Sequence, residues 1–283
     1  MEFQIRKIVY EGGSVKESDV MIEPISDVHA GARFHDKKKF AEVVKRINDD
    51  PRRYTFVMGD IFDATTLENK FFDPEACVDP ELPTLEHQYQ YILNILAPLA
   101  RKGKILGVHC GNHDERLRIR HFQDFVLRLV DELNVVAAAA NAPAIKYLKY
   151  TGITRLVFYE KFQTGKLMNR GSFDFYTAHG SYSGRRAGGN LNSVQDMERD
   201  YSADVYLSGH THQLFIGKSE KIGMDQFAHL KKVVKIFGVC GSFAQPYAEG
   251  YITYPEKKNL PASRVGTLTI GIIPKTRKLH AYE

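Results

Sequence analysis

The stretch Val20-Met-Ile-Glu-Pro-Ile-Ser-Asp27-Val-His29 sets the pattern for the fold: an apolar run halts on a carboxylate and an imidazole. Tyr54-Thr-Phe-Val-Met-Gly-Asp60 repeats the arrangement, and Lys104-Ile-Leu-Gly-Val-His-Cys110 runs into Gly111-Asn112-His113-Asp114. Further along, Ser172-Phe-Asp-Phe-Tyr-Thr-Ala-His179 precedes Gly180, and Asp204-Val-Tyr-Leu-Ser-Gly209 precedes His210-Thr-His212. Each apolar run has the length and composition of a buried strand. Polar side chains gathered beyond the carboxyl ends of strands mark the ligand-binding edge of an α/β sheet.

Between these runs the period changes from strand-like to helical. Phe40, Val43, Val44 and Ile47 predict a helix over 37–47. Leu85, Tyr89, Ile92, Leu93 and Leu96 predict another over 84–99, with Pro98 near its end, and Phe122, Phe125, Val126, Leu129 and Leu133 a third over 122–133. Pro24 removes a ladder hydrogen bond from its strand, which implies an edge position or a bulge. The second half is richer in strands: 154–161 and 172–179 around a turn-prone linker, then 232–243, 266–273 and a final arm over 275–283. Residues 65–83 show no period and read as a loop insertion in a single domain spanning 1–283.

Composition narrows the classes. The 283 residues carry a formal net charge of +5, which suits a polyanionic partner without requiring one. No apolar run reaches the roughly 20 residues needed to cross a bilayer, so no membrane role is expected. The first residues lack the apolar core of a signal peptide. Cys77, Cys110 and Cys240 are too few and too widely spaced for a disulfide framework, and they read as buried thiols in a cytoplasmic protein.

Asp27, His29, Asp60, Asn112, His179, His210 and His212 offer only nitrogen and oxygen donors. Imidazole with carboxylate suits zinc, iron, manganese or nickel and disfavours calcium. Asp27 and His29 are two residues apart, as are His210 and His212; in extended backbone each pair points to one side. Glycine beside these residues, at 59, 111, 180 and 209, permits sharp turns at a strand end. His35, His87, His109, His121, His229 and His280 lack such neighbours and read as surface or satisfied core histidines.

In this order, Asp27-x-His29, Gly59-Asp60-x-x-Asp63, Gly111-Asn112-His113-Asp114, His179-Gly180 and Gly209-His210-x-His212 resemble the calcineurin-like metallophosphoesterase superfamily, with no motif missing. The resemblance implies an αββα sandwich of two mixed β-sheets flanked by helices. It also implies a hydrolase with two divalent metal ions, foremost Mn²⁺. Asp27, His29, Asp60 and His212 would hold one ion, and Asp60, Asn112, His179 and His210 the other. A water bridging them would be the nucleophile. His113 resembles the residue that protonates the leaving oxygen. Asp114 would orient His113 and Asp63 would support a ligand histidine, unless both serve as helix caps.

Arg33, Arg116, Tyr182, Arg185 and Arg186 are candidate substrate contacts, the last three on a glycine-rich loop after His179. Asp27-Val-His-Ala-Gly31 with Gly59-Asp-Ile-Phe-Asp63 resembles the DNA-repair nuclease branch, and the overall pattern resembles stand-alone phosphoesterases carried by phages. The leading expectation is hydrolysis of a phosphodiester in DNA or a nucleotide. A phosphomonoesterase acting on nucleotides or phosphoproteins is the alternative, and a non-catalytic metal-binding scaffold a weaker one.

Overall fold

The computed structural model describes residues 1–283 apart from 12–18, 64–77, 183–185, 225–227, 251–252, 254–255 and 257–261. Cys77, Arg185 and most of the expected insertion over 65–83 lie outside the described residues. The elements run β1 (Glu2–Glu11), β2 (Val20–Ile22), α1 (Lys37–Asp49), β3 (Arg53–Val57), α2 (Leu85–Arg101), β4 (Ile105–His109), α3 (Asn112–His121), α4 (Phe125–Ala139) and β5 (Lys146–Lys149). They continue with β6 (Thr151–Lys161), β7 (Leu167–Ala178), α5 (Ala187–Asp196), β8 (Val205–Ser208), β9 (Leu214–Met224), β10 (Leu230–Cys240), β11 (Thr269–Ile273) and β12 (Lys278–Tyr282).

Two mixed six-stranded sheets result, ordered β1-β6-β7-β8-β10-β9 and β12-β11-β2-β3-β4-β5. In the second sheet β2, β3 and β4 run parallel; in the first, β8 runs parallel to β7 and β10. The sheets face each other across one apolar layer, built from Phe56, Leu106 and Ile270 on one side and Phe158, Phe175 and Ile236 on the other. The outer face of the second sheet is covered by α1, α2 and α4 through Phe40, Ile92, Leu96 and Leu129. Helix α5 covers the first sheet through Val194, against Tyr206 and Phe237. These four layers are the expected αββα sandwich, because each sheet buries one face on the other sheet and one on helices. The segment after residue 213, which carried no motif, adds β10 beside β8 and β11 beside β2, so it completes both sheets.

Helix α1 buries the four residues its period singled out, and the Asp36 carboxylate caps it by accepting from Lys39 N–H. Helix α2 starts after Thr84 as expected and continues past Pro98 to Arg101. The third predicted helix is displaced. Asp124 caps α4 by accepting from Leu127 N–H, so the helix begins at Phe125, and Phe122 instead ends α3 in a left-handed conformation with φ 55°. Phe122 is therefore 92% exposed rather than inward-facing. Leu129→Ala should cost about 2–5 kcal/mol, whereas Phe122→Ser should change stability by less than about 0.5 kcal/mol; paired urea melts check both.

Pro24 also behaves differently from the expectation of an edge. β2 lies between β11 and β3, inside the sheet. Bonding to β3 runs on past Ile22, with Glu23 N–H donating to the Tyr54 carbonyl at 2.9 Å and Ile25 N–H to the Phe56 carbonyl at 2.8 Å, while pairing with β11 ends at Ile22, so position 24 has no ladder donor to lose.

Candidate metal centre

All seven candidate ligands sit where β2, β3, β4, β7 and β8 end. Their backbones are unusual. Asp27, His29, Asp60, His210 and His212 have φ of 51°, 49°, 47°, 69° and 56°, in the left-handed region. Asp and His enter that region more readily than most L-residues, at a cost on the order of 1 kcal/mol each. This corrects the expectation of extended backbone. His210 and His212 do not share one direction, and each joins a different group of donors.

Asp27, His29 and His212 form one group of donor atoms and Asp60, His179 and His210 another, each spanning no more than 4.8 Å. Asn112 adds its Oδ1 to the second group, 3.2 Å from His179 Nε2 and 2.7 Å from His210 Nδ1. One oxygen of Asp60, Oδ2, lies between the groups, 3.3 Å from His179 Nε2 and 3.9 Å from His29 Nε2. Its other oxygen accepts from His113 N–H at 2.8 Å.

The hydrogen-bond partners fix where the protons sit. The carbonyl of Met58 can only accept, so His179 donates to it from Nδ1 at 2.9 Å. That leaves the Nε2 lone pair of neutral His179 facing the oxygens of Asp60 and Asn112. His29 likewise turns Nδ1 to the Asp63 carboxylate at 3.3 Å, and its Nε2 meets His212 Nε2 at 3.0 Å. Asp27 Oδ1 is buried without a hydrogen-bond partner, 3.4 Å from His212 Nε2. Lone pairs converging on buried, partnerless oxygen require positive charge. Protonated imidazoles supply it in part, and divalent cations suit the whole donor set.

Electrostatics reports the same demand. Burial disfavours imidazolium at His179, yet the carboxylates of Asp60 and Asp27 and the Met58 carbonyl outweigh it and push its pKa up to about 10. Burial would raise Asp60, but His179, His113 and His29 together hold its carboxyl well below the ordinary range. Because His179 titrates above its ordinary 6.5 in the folded chain, its stabilisation is complete below that pH and is lost as pH rises towards about 10. The metal-free protein should therefore lose thermal stability between about pH 7 and 10, and saturation with Mn²⁺ should remove that dependence by displacing the proton; melting curves across the range check this.

The neighbours divide into supports and bystanders. Asp63 holds His29 through its carboxylate and accepts from His113 Nδ1 through its main-chain carbonyl at 2.8 Å. Asp114 does not orient His113. Its buried carboxylate accepts from the N–H of Gly111, the residue before α3, at 2.9 Å, and from Ile61 and Phe62 N–H at 3.1 and 3.0 Å. It thus pins the turn that carries Asp60 to the turn that carries Asn112. Burial and the nearby Asp60 push its pKa up to about 6.

Two glycines have clear reasons. Gly59 has φ 96°, and a Cβ there would meet Gly111 N at 2.6 Å. A Cβ on Gly111 would come within 2.1 Å of Asp60 N and Oδ1. Gly111→Ala should therefore cost about 3 kcal/mol and lower Mn²⁺ retention, measured by urea titration and metal analysis.

Ser26 escaped the sequence reading. Its hydroxyl donates to Asp27 Oδ2, which also accepts from His210 N–H at 3.0 Å, so Asp27 Oδ1 is left turned to His212. Adjacency to Asp27 was the available signal. Arg33 is exposed on the turn after His29, and Arg116 is half-buried on α3. Arg186 is exposed just before α5, and Tyr182 rests its hydroxyl against Gly189 in the first turn of that helix. His109 is a satisfied core histidine, bonded to the Lys149 carbonyl and Thr177 Oγ1. His35 is buried and meets the Tyr91 hydroxyl, while His87, His229 and His280 are exposed. Cys110 and Cys240 are buried free thiols.

The Asp/His donor groups at the strand ends of the two facing sheets are compatible with a metal-dependent phosphoesterase. The model of the calcineurin-like phosphoesterase family matches residues 25–214, and the chain belongs to that family. No curated protein matches the chain. No helix among the described residues is long and apolar enough to cross a membrane.

Proposed function

We propose that the protein is a phosphodiesterase that depends on two divalent cations, with Mn²⁺ the leading choice, and that it acts on DNA or a nucleotide. The observation that carries this reading is the Asp60 carboxylate, whose Oδ2 faces both donor groups at once. Asp27, His29, Asp60 and His212 would hold one cation, and Asp60, Asn112, His179 and His210 the other. When bound, such a pair neutralises phosphate oxygens and lowers the pKa of a water molecule at neutral pH.

The chain's own residues do the rest. Ser26 and His210 N–H fix one Asp27 oxygen, which holds the carboxylate in one orientation. The Asp63 carbonyl keeps the proton of His113 on Nδ1, leaving Nε2 to carry the second proton that is handed to the departing oxygen. His113 is about one quarter exposed, so its edge is open to a substrate. The net charge of +5 favours a diester within a polyanion.

The test is turnover of bis-p-nitrophenyl phosphate against p-nitrophenyl phosphate, with Mn²⁺, Ni²⁺, Mg²⁺ or Zn²⁺ added to metal-free protein. Diester turnover stimulated most by Mn²⁺ is expected. Turnover of the monoester alone would replace this reading with a phosphomonoesterase, and turnover of neither with a binding protein.

A further inference from the structure

β9 is an open rim of the first sheet. It pairs with β10 without a register shift from Leu214 to Met224, and among the described residues no strand lies on its far side. In an antiparallel ladder, alternate residues turn their main-chain N–H and C=O groups away from the neighbour. About half of this 11-residue strand, which contains no proline, therefore faces outward as unpaired donors and acceptors.

The support behind β9 is uneven. β8 holds β10 only over Ile236–Val239, the part opposite 215–218 of β9. Residues 219–224 and 230–235 run on as a two-stranded arm, fastened at its base where Lys221 and Lys235 meet Glu198 just after α5. A lone hairpin is marginally stable in water. Near the arm's end Ile222, Met224 and Leu230 are 72%, 73% and 70% exposed. They share one face, because Ile222 and Met224 are two residues apart and Leu230 stands directly opposite Met224. Ile216, on the same face of β9, packs into the apolar layer between the sheets. Large apolar side chains grouped in water mark a contact surface.

The order of side chains along that face identifies what covers it. Leu214, Ile216, Lys218, Glu220, Ile222 and Met224 are their own complement about Ser219. With a second copy of β9 laid antiparallel and Ser219 on the two-fold axis, Lys218 faces Glu220, Ile216 faces Ile222 and Leu214 faces Met224, each twice. On the opposite face Phe215 meets Gly223 and Lys221 meets Gly217, large against small. Moving the axis by one residue sets Lys218 or Glu220 opposite itself, and like charges directly opposite are destabilising. An isologous two-fold contact requires this self-complementarity. Ser219 Oγ is buried without a hydrogen-bond partner, and on the axis it meets a second hydroxyl that can both donate and accept.

We infer that two copies of the chain pair antiparallel through β9 about Ser219, joining their first sheets into one. The projecting half of each strand, 220–224, lies along the partner's supported half, 214–218. Ile222 and Met224 of the partner subunit then cover the rim of the apolar layer at Ile216 and Leu214, two residues beyond His212. One contact satisfies both the open edge and the exposed end of the arm. It does not depend on the phosphodiesterase reading.

The test is sedimentation velocity of the full chain over a range of concentrations, in which the 32.2 kDa chain should sediment as a dimer. Glu220→Lys sets two pairs of lysines opposite one another and should raise the dissociation constant about tenfold or more. Lys218→Glu should do the same with carboxylates. Both changes in one chain should restore most of the affinity, because the pairs re-form with their signs exchanged. Ser219→Cys, oxidised with diamide, should give a disulfide-linked dimer beyond the wild-type background, since opposed residues lie about 4.5–5.5 Å apart at Cα. Gly223→Cys should not, because in this register it is about 26 Å from its copy along the strand. A 32.2 kDa species at every concentration would overturn the dimer. A dimer indifferent to Glu220→Lys, a double variant no tighter than either single one, or cross-linking through Gly223→Cys but not Ser219→Cys would overturn the β9 contact.

Discussion

Asp60→Asn is expected to lower diester turnover by about a thousandfold or more, the loss of several kcal/mol of charge stabilisation, and to cut the Mn²⁺ retained after gel filtration. Asp60 is buried among imidazoles, with Oδ2 3.3 Å from His179 Nε2 and 3.9 Å from His29 Nε2. The neighbouring imidazoles hold its carboxyl well below the ordinary range despite burial, which means that the site is built around its negative charge. An amide keeps one acceptor for the His113 N–H bond of 2.8 Å, so the turn should survive. It cannot supply charge to both donor groups. Circular dichroism should show an intact fold, and metal analysis should show less than the wild-type content. Two ions retained with near-normal turnover would contradict a shared ligand.

His113→Gln should behave differently. The side chain bonds through Nδ1 to the Asp63 carbonyl and stands edge-on to His29, with ring centroids 4.6 Å apart. It does not belong to either donor group around Asp60 or Asp27. A donor group of His29, Asp63 and His113 does exist, but the Asp63 carbonyl takes the Nδ1 proton that a ligand at that atom would have to lose. Metal content should therefore stay near wild type while turnover falls about 10²–10⁴-fold. The loss should also depend on the leaving group. p-Nitrophenolate departs without protonation, so bis-p-nitrophenyl phosphate should suffer less than a dinucleotide, whose alkoxide needs a proton. Equal losses on both substrates would remove His113 from the role of acid.

The sequence made the site more legible than its geometry. Asp27, His29, Asp60, Asn112, His179, His210 and His212 could be picked out because each follows an apolar strand, and the structure brings their donor atoms into two adjoining groups. The left-handed backbone at Asp27, His29, Asp60, His210 and His212 was not legible, since spacing of two residues suggests extended chain whenever a strand precedes it. The work of Asp114 was hidden for a similar reason. Its position beside His113 suggests contact, but the first turn of α3 rotates it towards Gly111, Ile61 and Phe62.

Fold class followed from strand and helix periods, while three edge strands, β1, β5 and β9, were missed. β1 sits at the rim of its sheet, where Phe3 and Ile5 are exposed and Arg6 is buried, so its burial runs against hydrophobicity at those positions. Arg6 is buried because its guanidinium donates to main-chain oxygens, among them Ala144 at 2.5 Å and Ile105 at 3.3 Å. β9 gains its place by pairing with β10 from Leu214 to Met224 rather than by its own apolar content. The displacement of the helix start from 122 to 125 came from a cap, Asp124, overriding an apolar period that ran through Phe122.

The most direct measurement is a titration of metal-free protein with Mn²⁺ in which bound metal and bis-p-nitrophenyl phosphate turnover are followed together. A centre in which Asp60 serves both donor groups predicts that turnover appears only as the second equivalent binds and that Asp60→Asn abolishes this step. Diester turnover that is complete with one equivalent, or absent at saturating Mn²⁺ with two equivalents bound, would contradict it.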